Sequence, residues 1–211
     1  MGCNRRKKTV MRLVTLQAND LVADTVQTIS PYYAKLLKAK GYRGVIRYVP
    51  TVTVTELINC FNEGLAVGFV TYADDFNPFR ALSKLHDLGT PQGHHLALDV
   101  EGVKLDPQIL IQKERTWCAG AIAAGHIPMR YCGAGQLLTG REMYLMPYRA
   151  YWHSCSDVVD RFGHEAVPDC HYMTFQDKRF NVALEPGYVV DNNHIIGDAV
   201  GRFPIFVEGS P

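Results

Sequence analysis

His95-Leu96-Ala97-Leu98-Asp99-Val100-Glu101-Gly102 runs from an apolar segment into two acids one residue apart. Read as a strand, it buries its apolar part and ends in the acids. Residues i and i+2 of a strand share a face and lie about 6–7 Å apart. Asp99 and Glu101 are therefore expected to project together from one strand end. Two carboxyls in a small space push their ionisations apart, so one holds a proton while the other stays charged. Acid/base cleavage of a glycosidic bond needs that division of labour. The plain alternative is a solvated pair at a loop edge, or a pair capping the next helix. The apolar run in front of the acids argues against it.

Outward from this stretch, strand-like and helix-like segments alternate. Strands are expected within Val10 to Asp24, over Arg43 to Val49, Ala66 to Tyr72, His95 to Val100, His126 to Tyr131, Arg149 to His153, Cys170 to Phe175 and Tyr188 to Val190. The helices between the early strands carry clear punctuation. Ser30-Pro31 opens one and Gly41 closes it; Thr53 with Glu56 forms a capping box, and Gly64 ends that helix. Asn77-Pro78 opens a third, closed by Gly89, and Asp106-Pro107 a fourth, closed near Gly125. Eight strands interleaved with helices predict an α/β fold, a compact and partly irregular (β/α)8 barrel of the TIM type. An open doubly wound sheet is the alternative. Little room is left for full helices after the fifth strand.

The chain has 211 residues, 47% of them hydrophobic and 20% charged, which suits one globular domain over 1–211. A net charge of +1 gives no global pull toward nucleic acid. The run Arg5-Arg6-Lys7-Lys8 is local and reads as a flexible solvated terminus over residues 1–9. No apolar run is long enough to span a bilayer, so no membrane partner is expected. Arg12 interrupts the apolar segment after the basic start, which argues against a signal peptide, and Gly2 lacks the Ser or Thr that myristoylation needs at position 6. The six cysteines show no C-x-x-C pair, so buried reduced thiols and synthesis in a reducing cytoplasm are expected.

In such barrels the chemistry sits at the C-terminal strand ends. Those ends carry Asp24, Arg47, Tyr72 with Asp74 and Asp75, Asp99 with Glu101, Tyr131, Trp152 with His153, Gln176 and Asp191. Acids, amides and aromatics converging on one rim suit a carbohydrate. The order of these motifs resembles the family 25 glycoside hydrolases, muramidases that cut peptidoglycan, and their divergent glycoside-hydrolase-like relatives. Ala23-Asp24-Thr25 resembles their first-strand motif, Gly41 to Tyr48 the second strand, Glu63 to Gly68 the third and Ala97-Leu98-Asp99-Val100-Glu101 the Asp-x-Glu fourth strand. Thr174-Phe175-Gln176 resembles the seventh, and Val190-Asp191-Asn192-Asn193 the last. The resemblance spans roughly residues 20 to 200. It implies a lysozyme-like enzyme of the endolysin type, made in the cytoplasm and acting on the cell wall in host lysis or from a virion. Glu101 would donate the proton, Asp99 would orient the reacting centre, and Asp24 and Asp191 would complete the acidic cluster. Tyr72, Tyr131, Trp152, Gln176 and Arg47 would contact the sugar. Peptidoglycan or a related polysaccharide is the implied partner of a monomer that uses no cofactor and no metal. The first strand lacks the family's usual Gly, Asp20 competes with Asp24, and Phe175 stands where the family has Trp.

Other constellations compete. His94 and His95 offer two metal ligands with no third at metal spacing, so a buried histidine bonded to backbone or to an acid is the expectation. His153-Ser154-Cys155, with His164 and His171, would suit a cysteine-dependent peptidoglycan amidase. A non-catalytic glycan-binding barrel is the third reading. Gly133-Ala134-Gly135 begins a G-x-G, but Leu138 occupies the third glycine position, so a turn is expected and not a dinucleotide site. Tyr32, Tyr33, Tyr42 and Tyr48 are expected in the core.

Overall fold

The computed structural model describes residues 10–74, 76–168, 172–177 and 182–209. The elements in chain order begin with β1 (Met11–Thr15), β2 (Leu21–Asp24), α1 (Pro31–Ala39), β3 (Gly44–Tyr48), α2 (Val54–Asn62) and β4 (Ala66–Tyr72). There follow α3 (Pro78–Leu88), β5 (His95–Asp99), α4 (Pro107–Ala123), β6 (Ile127–Cys132), α5 (Gly140–Tyr144) and β7 (Ala150–His153). The chain ends with β8 (Thr174–Gln176), β9 (Val182–Glu185), β10 (Tyr188–Ile195) and β11 (Ile205–Gly209). Strands β2 to β8 run parallel, and β10 closes the ring between β8 and β2. The β4–β5 pairing completes a closed eight-stranded barrel with helices between strands, as the sequence predicts.

The four early helices form where their punctuation stands. Ser30, Thr53, Asn77 and Asp106 each accept a backbone N–H of the first turn, and Thr53 with Glu56 makes both bonds of a capping box. Gly89 takes the left-handed conformation that ends α3. Past β6, among the described residues, the five-residue α5 is the one α-helix, in keeping with the short connections there.

Three expectations change. The single strand expected within Val10 to Asp24 is two strands. Polar Gln17 to Asp20 makes a turn in which Asp20 accepts the Gln17 N–H, so β1 leaves the barrel and pairs with β11. The last barrel strand is longer than Tyr188 to Val190 and runs antiparallel. A parallel return needs a crossover of a dozen or more residues, which 177–187 cannot hold, and β9–β10 is a hairpin instead. Of the strand expected over Cys170 to Phe175, β8 covers Thr174 and Phe175; Cys170 lies outside the described residues, as do Asp75, His171 and the basic terminus.

The core has two layers. Val22, Ile46, Val70, Ala97, Met129, Trp152 and Ile195 fill the barrel, while a larger cluster packs the sheet against the helices. Two buried ion pairs pin helices to strands: Arg130 on β6 grips Glu114 on α4 at 2.9 Å, and Arg47 on β3 meets Glu56 on α2 at 2.9 Å. Phe206 from β11 plugs the barrel beneath Gly68, where a Cβ would stand 2.6 Å from the ring. Gly68→Ala should therefore cost about 1–3 kcal/mol through overpacking. Urea unfolding measures this; unchanged stability would mean that Phe206 yields freely.

Candidate active site

Strand alternation builds the rim. Asp24, Tyr48, Tyr72, Asp99, Tyr131 and Trp152 each stand two residues beyond a barrel-filling residue, so each shares the inward face at the C-terminal end of its strand. Antiparallel pairing sets Asp191 on β10 directly across from Asp24 on β2. Two clefts open side by side. One, of about 350 Å³, is lined by Tyr72, Asp74, Asp99, Glu101, Lys104 and Lys113 among others. The other, of about 340 Å³, is lined by Asp24, Tyr48, Gln27 and Asp191 among others. The Tyr48 hydroxyl, which donates to Asp99 Oδ2 at 3.1 Å, links them.

Asp24 is 8% exposed, and its Oδ1 has no hydrogen-bond partner among the described residues. Burial, then the charges of Asp191 and Asp99, push its carboxyl up to about 8. Asp24 thus carries a proton at neutral pH. Asp99 is raised mainly by burial, against the lowering effect of bonds from the Glu101 N–H and Tyr48. Position separates the two first-strand acids: Asp20 accepts the Gln17 N–H in the turn before β2, and Asp24 faces Asp191 and Asp99.

Asp99 and Glu101 do meet in one cleft, but not as strand neighbours. Strand β5 ends at Asp99, whose Oδ1 accepts the Glu101 N–H at 2.9 Å. The chain then turns through Gly102 at φ +75°. Exposed Glu101 reaches the loop after β6, where its Oε1 accepts the Ala134 N–H at 3.3 Å. A Cβ on Gly133 would lie 2.4 Å from that oxygen. The first glycine of the G-x-G run therefore makes room for an acid.

An amide relay fixes Asp191. Gln176 Oε1 accepts the Tyr131 hydroxyl and the Cys155 N–H, both at 3.0 Å, which turns its Nε2 toward Asp191 Oδ2 at 3.0 Å. Tyr72 is the open aromatic, 40% exposed and stacked on Tyr48 with ring centres 4.3 Å apart. Two expected sugar contacts sit elsewhere. Trp152 is 1% exposed inside the barrel, its Nε1 donating to Asn193 Oδ1 at 2.7 Å and its ring meeting Tyr131 edge-on. Arg47 is 1% exposed on the opposite face of β3, held by Glu56 and bonded to the Thr25 carbonyl. Alternation explains it: neighbours Ile46 and Tyr48 point inward, so Arg47 points to the helices. Its guanidinium steadies the backbone just after Asp24.

Tyr48 is the site residue that sequence reasoning assigned to the core. The signal was its place two residues after Ile46 at a strand end. Asn193, quoted only within a motif, supports Trp152.

The competing constellations fare differently. Burial raises the Cys155 thiol, as do Asp191 and Glu101, the reverse of what a nucleophilic cysteine needs. His153 sets Nδ1 against the Ser154 carbonyl and stacks on Phe175. His95 accepts the Ile205 N–H, and His94 bonds the His95 carbonyl and packs on His126. No cluster of three or more metal-ligating side chains occurs among the described residues.

No family model and no curated protein matches the chain. Solved structures do. An uncharacterized protein of B. stearothermophilus superposes with a TM-score of 0.64 at 16% identity, covering 86% of this chain and 97% of its own. A virulence factor of Streptococcus pneumoniae, described as a glycosyl hydrolase 25 participating in host cell invasion, gives 0.54 at 13% identity over 83% and 86% of the two chains. The modular Cpl-1 endolysin, complexed with a peptidoglycan analogue, gives 0.52 at 15% identity over 87% of this chain and 56% of its own. At these identities the likeness is one of fold, and the fold is one that this chain shares with glycosyl hydrolase 25 proteins.

Proposed function

We propose that this chain is a peptidoglycan-cleaving glycoside hydrolase, a muramidase of the endolysin type. The observation that carries the reading is the acid cluster at the C-terminal rim: Asp99 and Glu101 line one open cleft, Asp24 and Asp191 the cleft beside it, and Tyr48 joins the two. Its likeness in fold to glycosyl hydrolase 25 proteins supports it.

In this reading Glu101 protonates the leaving glycosidic oxygen. Asp99 accepts bonds from Tyr48 and the Glu101 backbone, which fixes its carboxylate. It orients the N-acetyl group of the bound muramic acid, whose carbonyl oxygen attacks the anomeric carbon as the leaving group departs. Water then opens the resulting ring and restores the acetamido group. Protonated Asp24 donates a hydrogen bond instead of adding a further negative charge. Tyr72 offers its exposed ring to a sugar face. The site of action is the cell wall, in host lysis or from a virion.

Product chemistry tests the reading. Purified peptidoglycan treated with the protein should yield new reducing sugar ends and no new amino termini. New amino termini, abolished by a thiol reagent, would establish the cysteine amidase. Saturable glycan binding with neither product, across several wall chemotypes, would establish a binding barrel.

A further inference from the structure

At the end of the barrel away from the acids, an open cavity of about 510 Å³ lies against Thr15, His95, Ile127, Arg149, Met173 and Phe203. Four of these mark the starts of successive strands. His95 opens β5, Ile127 opens β6, Arg149 precedes β7 and Met173 precedes β8. The segment leading into β11 forms the other wall. His95 is four residues below Asp99 on one strand, about 13 Å away. The cavity is therefore separate from the rim.

Its floor is apolar, built from Ile127, Met173, Phe203 and Ile205. Into it faces a histidine that is only 6% exposed. Its Nδ1 accepts the Ile205 N–H at 2.8 Å, so the ring proton sits on Nε2. Burial holds the ring's pKa down at about 4, which keeps this tautomer neutral. That Nε2–H has no partner among the described residues. The donor is not shut away from solvent, so it stays available at the cavity wall to a ligand acceptor.

The charge at the mouth is one-sided. Arg149 is exposed, and its side chain has no partner among the described residues. Arg202, also at the cavity, is engaged by Asp198 at 2.6 Å. The Asp198 carboxylate is thus engaged, and the cavity lining among the described residues includes no acid, which disfavours an amine. One unengaged guanidinium beside an apolar floor suits a single negative charge on an apolar body.

We propose that this cavity binds an aliphatic monocarboxylate. The chain lies along Ile127, Met173 and Phe203. The carboxylate accepts from His95 Nε2–H and from the Arg149 guanidinium.

Isothermal titration of the full chain with decanoate tests this, with decanol and decylamine as matched probes. The expected result is saturable one-to-one decanoate binding, at least ten-fold tighter than either matched probe. Arg149→Met should weaken it at least five-fold. Thr15→Trp, which fills the mouth, should abolish it, with thermal melting verifying that both variants are folded. Absence of saturable binding would overturn the proposal. So would equal affinity for decylamine or decanol, retention of affinity by both variants, or association with decanoate-containing vesicles alone. None of these readouts depends on glycan cleavage.

Discussion

Glu101→Gln is expected to reduce release of reducing ends by about 10²–10⁴-fold, the range of a lost general acid, with little change in melting temperature. The two effects separate because of where Glu101 sits. It is exposed, beyond the end of β5, and its side chain accepts a 3.3 Å bond from the Ala134 N–H. Glutamine keeps the size, and its carbonyl oxygen can still accept that bond. What it cannot do is give a proton to a glycosidic oxygen. Rates on purified peptidoglycan, taken beside a thermal melt, make the comparison. Undiminished turnover would remove Glu101 from the mechanism, whereas a melt lowered by many degrees would make it a structural residue.

Asp24→Asn is expected to make the protein more stable and less active. The folded-state pKa of Asp24 is about 8, raised from 3.8 by burial and by Asp191 and Asp99. Below the lower value both folded and unfolded chains hold the proton, and Asp24 costs nothing. Between the two values the unfolded chain has released it and the folded chain has not, so stability falls as pH rises. The full cost is present above about 8. Asparagine cannot ionise and removes that slope. The gain should be near zero at pH 4 and on the order of 5 kcal/mol at pH 8, which is roughly 10–20 °C for a chain of this size. Melting curves across that interval read it directly. A pH-independent shift would mean that Asp24 is not the proton-holding member of the cluster. The accompanying loss of turnover would make this a site where function is kept at the expense of stability.

Much of the architecture was legible in local sequence. Ser30-Pro31, Thr53 with Glu56, Asn77-Pro78 and Asp106-Pro107 begin helices where they stand, because a cap bonds backbone only one to three residues away. The His95 to Asp99 run was legible as a buried strand because burial on both faces leaves an unbroken apolar segment. The turn that splits β1 from β2 was less so. Its polar residues are ordinary, and pairing with β11 nearly two hundred residues later is what gives β1 a place.

The rim shows the same division. That Asp24, Asp99 and Glu101 belong together was legible from strand ends, since all parallel barrel strands deliver their C-termini to one face. Which side chains face it depends on the parity of each strand, and parity needs a known inward residue. Arg47 and Tyr48 are neighbours, and one step of the pleat sends the arginine to Glu56 and the tyrosine to Asp99. Trp152 has the inward parity, yet neighbouring strands bury it beneath Tyr131.

By itself the sequence determined the alternation of strands and helices, their caps, and the acids that end β2 and β5, because these are written within a few residues of chain. Only the tertiary structure decided which way the last strand runs, which acid keeps its proton and which aromatic stays open. Those depend on the barrel closing, which brings Asp191 opposite Asp24 and shuts water out around them.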